Sequence, residues 1–100
     1  MNAKPPLPEG ADTLASLRAE IDALDRRLVH LLAERMAVVD RVVARKREAG
    51  LPALIPNRVE QVVERVRAEA VETGLSADLA EILWRRMMEW VIAYEADHLA

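Results

Sequence analysis

The chain has 100 residues, 52% of them apolar, with a formal net charge of −3 and no cysteine. One domain with a real core fits that size, disulfides and thiolate chemistry are excluded, and the acidic balance argues against a nucleic-acid partner. Two Trp and one Tyr, with no Phe, leave little ring packing for a β-sandwich, whereas Ala, Glu, Lys, Leu and Arg supply over half of the chain, the composition of long helices.

Residues 1–10 hold three of the five prolines and read as a flexible tail, leaving residues 11–100 as the domain. The tail has no apolar run of a secretory signal and no stretch can span a membrane, so a cytoplasmic protein is expected. Asp12 or Thr13 then offers a helix N-cap. From Leu14 to Arg45 a heptad seam follows: Leu14, Leu17, Ile21, Leu24, Leu28, Leu31, Arg35, Val38, Val42 and Arg45. No Gly or Pro interrupts it before Gly50, which predicts one helix of roughly 36 residues, about 54 Å long. A compact domain of this size has a radius of gyration near 13 Å, so the rest of the chain cannot cover both ends of such a helix. Uncovered seam residues would leave a large apolar patch, and a second copy of the chain is the expected cover.

Gly50, Pro52 and Pro56 mark a loop over residues 49–56. Asn57 followed by Glu60 resembles a capping box at the start of a second helix. Val59, Val62, Val63, Val66 and Ala70 form its apolar face, and it ends near Thr73–Gly74. Ser76 caps a third helix, with Asp78 in its first turn favouring the helix dipole. Leu79, Ile82, Leu83, Met87, Trp90 and Tyr94 predict that helix's buried face. The expected architecture is all-α, with one long and two shorter helices per protomer.

Several charged residues sit where apolar ones are expected. Arg35 occupies a seam position, and Lys46, eleven residues on, lies within about 20° of it on the same face and about 16 Å along the axis. Two inward cations at that spacing suit a small ligand with two anionic groups; a buried ion pair to a neighbouring helix is the alternative for Arg35. Arg18, at the seam's edge, is about 42 Å from Lys46 along the helix, so only a partner chain could bring the two to one ligand, and a surface role is the alternative. Arg58 follows Asn57 at the mouth of the second helix, where free N–H groups and an arginine make an anion site; a solvated arginine is the alternative. Glu95 prolongs the stripe Trp84, Met88, Val91, so either burial among apolar residues holds its proton or it lies frayed in water. His30 and His98 read as surface residues, too few and too scattered for a metal site.

The segment LRAEIDALDRRLVHLLAERMAVVDRVVARK, followed by a loop and NRVE, resembles the all-helical chorismate mutase family over about residues 14–97. The resemblance implies an intertwined homodimer of three-helix protomers, with no cofactor and no metal. It implies that Arg35, Arg58 and a partner's Arg18 hold the two carboxylates of chorismate, a small-molecule substrate. Lys46 and a protonated Glu95 would donate to the ether oxygen during rearrangement to prephenate, the protonated carboxyl favouring activity at lower pH. Many family members carry Glu where this chain has Val59 in the binding pocket. Val59 with Pro56–Asn57 is more similar to the isochorismate-pyruvate lyases and the 4-amino-4-deoxychorismate mutases. A non-catalytic helical dimerisation module is the remaining alternative.

Overall fold

The computed structural model describes residues 12–100; the tail read at residues 1–10 lies outside them. Three helices follow in order, α1 (Leu14–Ala49), α2 (Pro56–Thr73) and α3 (Ala77–Leu99), and there is no strand among the described residues. The chain divides at Ala37/Val38 into two compact units, and α1 contributes to both.

In the first unit, Thr13 precedes α1; its Oγ1 accepts from Ser16 N at 3.0 Å while Ser16 Oγ accepts from Thr13 N at 3.0 Å. This reciprocal pair satisfies two donors at the helix start, as a capping box does. The seam residues Leu14, Ile21, Leu24, Leu28 and Leu31 are each more than half exposed. No residue of α1 before Val39 is buried.

In the second unit, the buried side of α1 is Val39 and Val43, each one residue beyond the seam positions Val38 and Val42, which are exposed. The helix ends in a two-bond closure: Leu51 N donates to Lys46 O at 2.8 Å and Gly50 N to Arg47 O at 3.3 Å. Gly50 stands at φ +67°, the left-handed conformation this closure requires and glycine adopts without strain. The same device ends α2, where Leu75 N reaches Ala70 O at 2.9 Å and Gly74 stands at φ +80°.

Helix α2 starts two residues earlier than the Asn57–Glu60 pattern predicts. Ile55 is the N-cap in an extended conformation, Pro56 follows at the first helical position, and no side chain caps the end. Proline explains the shift: its fixed φ suits the first turn, and it pushes the preceding residue into extended backbone. Ser76 does cap α3, accepting from Leu79 N at 3.2 Å.

Helices α2 and α3 pack on one another. Ion pairs join Arg67 to Asp78 and Glu81 and Arg85 to Glu60, so the two run antiparallel. Val63 and Ala70 are buried on α2, and Ala80, Met88, Val91 and Glu95 on α3. The face predicted for α3 is a different one: Leu79, Ile82, Leu83 and Trp90 are exposed, and Met87 and Tyr94 half-buried. Small Ala70 and Ala80, at 3% and 1% exposed, are the most deeply covered residues of the pair and lie near the reversal.

Candidate active site

The second unit brings one sequence-predicted pair together. Lys46, in the last turn of α1, donates from Nζ to Glu95 Oε1 on α3 at 2.8 Å and to the Ala53 carbonyl of the α1–α2 loop at 2.7 Å. The two side chains are 14% and 9% exposed. Glu95 is therefore buried on the Met88–Val91 stripe as predicted, but a cation meets its carboxylate where an apolar setting was expected. An ionised carboxylate is acceptor only, and the ammonium still has one N–H uncommitted. The site thus presents a fixed donor, held in place by the carboxylate that accepts from it.

An open groove of about 1020 Å³ runs along the end of α1, bordered by Val38, Arg41, Val42, Arg45, Lys46 and Leu51. Its size is at the upper end for a small-molecule site.

Arg58 and Val59 sit in the first turn of α2. Arg58 is exposed and donates to Gln61 Oε1 at 2.7 Å; Val59 is half-buried. The helix mouth offers fewer donors than the sequence suggests, because Pro56 has no N–H and the amides of Arg58 and Val59 both turn to Ile55 O, at 3.0 and 3.2 Å. In the first unit, Arg18 is exposed and Arg35 half-buried, and neither forms an ion pair among the described residues. The ion-pair alternative for Arg35 is therefore not the one realised among the described residues. His30 and His98 are exposed, as read from the sequence. Among the described residues no group of His, Cys, Asp and Glu is arranged to hold a metal ion, and no helix is long and apolar enough to cross a membrane.

Sequence reasoning missed two contributors. The Ala53 carbonyl is main chain and leaves no residue-type signal. The hydrogen bond from Tyr94 Oη to Asp40 Oδ1, at 2.6 Å, joins α3 to α1 beside the Lys46–Glu95 pair. That bond to Asp40, with some burial and the carboxylate's charge, raises the Tyr94 phenol above its ordinary value. Elsewhere, Arg85 hydrogen bonds hold Glu60 and Glu81 below the usual carboxylate range, and Arg67 adds to the effect on Glu81.

Three helices with a part-buried lysine–glutamate pair joining the first to the last define an all-helical protein with a polar site at the edge of its core. Residues 17–96 match the family model for chorismate mutase type II, and the chain belongs to that family. It is 42% identical over 84 residues to the T-protein of Haemophilus influenzae, an alignment covering 84% of this chain and 22% of that protein. It is 25% identical over 88 residues to the chorismate mutase of Methanocaldococcus jannaschii, covering 88% and 89%. A third relative, the 4-amino-4-deoxychorismate mutase of Streptomyces venezuelae, is 37% identical over 62 residues, covering 62% and 60%. The chain thus spans about a fifth of the T-protein and most of the archaeal relative.

Proposed function

We propose that the protein is a chorismate mutase, converting chorismate to prephenate, and the buried Lys46–Glu95 pair carries this reading in a chain of that family. The reaction is intramolecular: the ether C–O bond breaks as a new C–C bond forms, and no electron or atom leaves the molecule. The protein's task is to hold the compact conformer and stabilise negative charge growing on the ether oxygen. Lys46 directs its uncommitted N–H at that oxygen. Glu95, once protonated, supplies the second donor. Arg35 and Arg58 bind the substrate carboxylates together with Arg18 of the partner subunit, and Val59 meets the substrate beside Arg58.

The homodimer belongs to the same proposal. Its support is the apolar seam of α1, where Leu14, Ile21 and Leu28 are 64%, 55% and 56% exposed. Soluble chains rarely leave such a stripe in water. Light scattering at micromolar concentration should return twice the chain mass of 11.2 kDa.

The similarity to a 4-amino-4-deoxychorismate mutase supports a second reading, in which an amino group replaces the ring hydroxyl of the substrate. Val59 supports the lyase alternative, an elimination of pyruvate from isochorismate in the same pocket. One preparation offered chorismate, isochorismate and 4-amino-4-deoxychorismate in separate reactions decides among them. Prephenate formed at the highest kcat/KM is the expected result. No prephenate between pH 5 and 8 overturns the primary reading.

A further inference from the structure

A second polar link joins α1 to α3 next to the candidate site. Tyr94 Oη donates to Asp40 Oδ1 at 2.6 Å, and Tyr94 immediately precedes Glu95. The Tyr94 ring is held from both sides along α3. Its centroid lies 5.6 Å from that of Trp90, with an interplanar angle of 18°, and 4.0 Å from that of His98, with an angle of 29°. His98 Nδ1 is 2.8 Å from Tyr94 O, and Arg47 of α1 donates to His98 O.

These contacts form an ordered set. Asp40 and Arg47 are seven residues apart and so stand within about 20° of one another on α1. Tyr94 and His98 are one turn apart on α3. The Asp40–Tyr94 and Arg47–His98 links therefore lie at the two ends of one edge, and Lys46–Glu95 falls between them in sequence on both helices. Partner numbers rise together, so any sliding or rotation of α3 that carries Glu95 away from Lys46 also strains the Tyr94 bond. With its ring stacked between two neighbours, Tyr94 has little freedom to follow such a motion by itself.

We propose that Tyr94 and Asp40 are a positioning pair, holding the Glu95 carboxyl in register with Lys46 and with the reacting atom bound there. The proposal rests on reading Lys46 and Glu95 as the groups that meet the ether oxygen. Neither Tyr94 nor Asp40 touches substrate in this account. Their effect is on geometry, where a displacement of about 1 Å can cost on the order of a hundredfold in rate.

The test compares wild type with Tyr94→Phe, Asp40→Ala, Asp40→Asn and the double variant Tyr94→Phe/Asp40→Ala, each assayed where circular dichroism shows it folded. Tyr94→Phe and Asp40→Ala should each lower kcat for chorismate about tenfold and leave KM within about twofold, the mark of a misplaced group rather than a lost binding contact. The double variant should lose no more than either single one, because all three remove the same bond. Asp40→Asn keeps an acceptor for the phenol and should stay within about twofold of wild type.

A Tyr94→Phe protein with wild-type kcat overturns the proposal, as do multiplicative losses in the double variant. An Asp40→Asn protein as slow as Asp40→Ala overturns it too. The Glu95 side-chain carboxyl carbon shift, read by NMR without substrate, gives a second measure. It should move in Tyr94→Phe and Asp40→Ala and stay in place in Asp40→Asn; no movement in the first two refutes the pair. A wild-type protein that leaves chorismate unchanged sinks the mutase reading instead, and the carboxyl shift then judges the positioning pair alone.

Discussion

Lys46→Ala separates what the Lys46–Glu95 pair does for stability from what it does for chemistry. Removing the ammonium leaves a carboxylate only 9% exposed without its cation, and leaves the Ala53 carbonyl without its donor. Breaking a buried pair from one side costs roughly 3–5 kcal/mol. The remaining exposure of both side chains places this pair at the lower end, about 3 kcal/mol, which for a domain of this size lowers Tm by about 12–24 °C. Replacing both partners with apolar residues of similar length, Lys46→Met with Glu95→Leu, removes the uncompensated charge along with the pair. That double variant should match or exceed wild-type stability and convert no chorismate. Thermal and urea unfolding by circular dichroism would be compared at one protein concentration, since the midpoint of an associating chain moves with concentration. A Lys46→Ala protein within 1 kcal/mol of wild type, or a double variant as unstable as the sum of its singles, would refute the reasoning.

Three further outcomes follow from the same structure. Glu95→Gln offers N–H donors that a carboxylate paired with Lys46 lacks, so it should turn over chorismate on the order of tenfold faster than wild type at pH 7.5; a Glu95→Gln protein no faster than wild type refutes the donor role. Glu60 and Glu81 have folded pKa values lowered from 4.5, so their stabilisation is present above about pH 4.5 and is lost as pH falls through the folded values. Urea midpoints measured from pH 6 to pH 2 should fall less steeply in Arg85→Met, which removes the leading cause of both shifts. Gly74→Ala meets no atom within 4 Å of the added Cβ, so only the left-handed backbone penalises it, by about 1 kcal/mol in urea unfolding. Gly74→Asn should recover part of that loss.

The ends of the helices were legible because local chemistry decides them. Gly50 and Gly74 close α1 and α2, and Ser76 caps α3 within hydrogen-bond reach of its own first turn. At α2 two local signals competed, and proline won over Asn57 because a ring fixes φ whatever the side chains do. The Lys46–Glu95 meeting was half legible: the stripe ending at Glu95 marked its burial, while its partner lies 49 residues away on another helix. On α3 the expected face and the one covered within the single chain differ: Leu79, Ile82, Leu83 and Trp90 are exposed there, while Ala80, Met88 and Val91 are buried. Burial there does not follow size, since Ala80 is 1% exposed and Trp90 60%. On α1 the seam was visible, yet the residues covered within the chain are its neighbours, Val39 and Val43. A heptad pattern marks an apolar stripe without naming what lies against it.

Lys46 is the only lysine in the chain apart from Lys4, in a sequence with 14 basic residues. Amine-directed acylating reagents therefore find two lysine ε-amines in this sequence. Of these, Lys46 is 14% exposed with two of its hydrogens committed, so it should label slowly. The extent of its modification, followed by peptide mapping, becomes a direct gauge of site occupancy: a ligand seated against the ammonium suppresses labelling there.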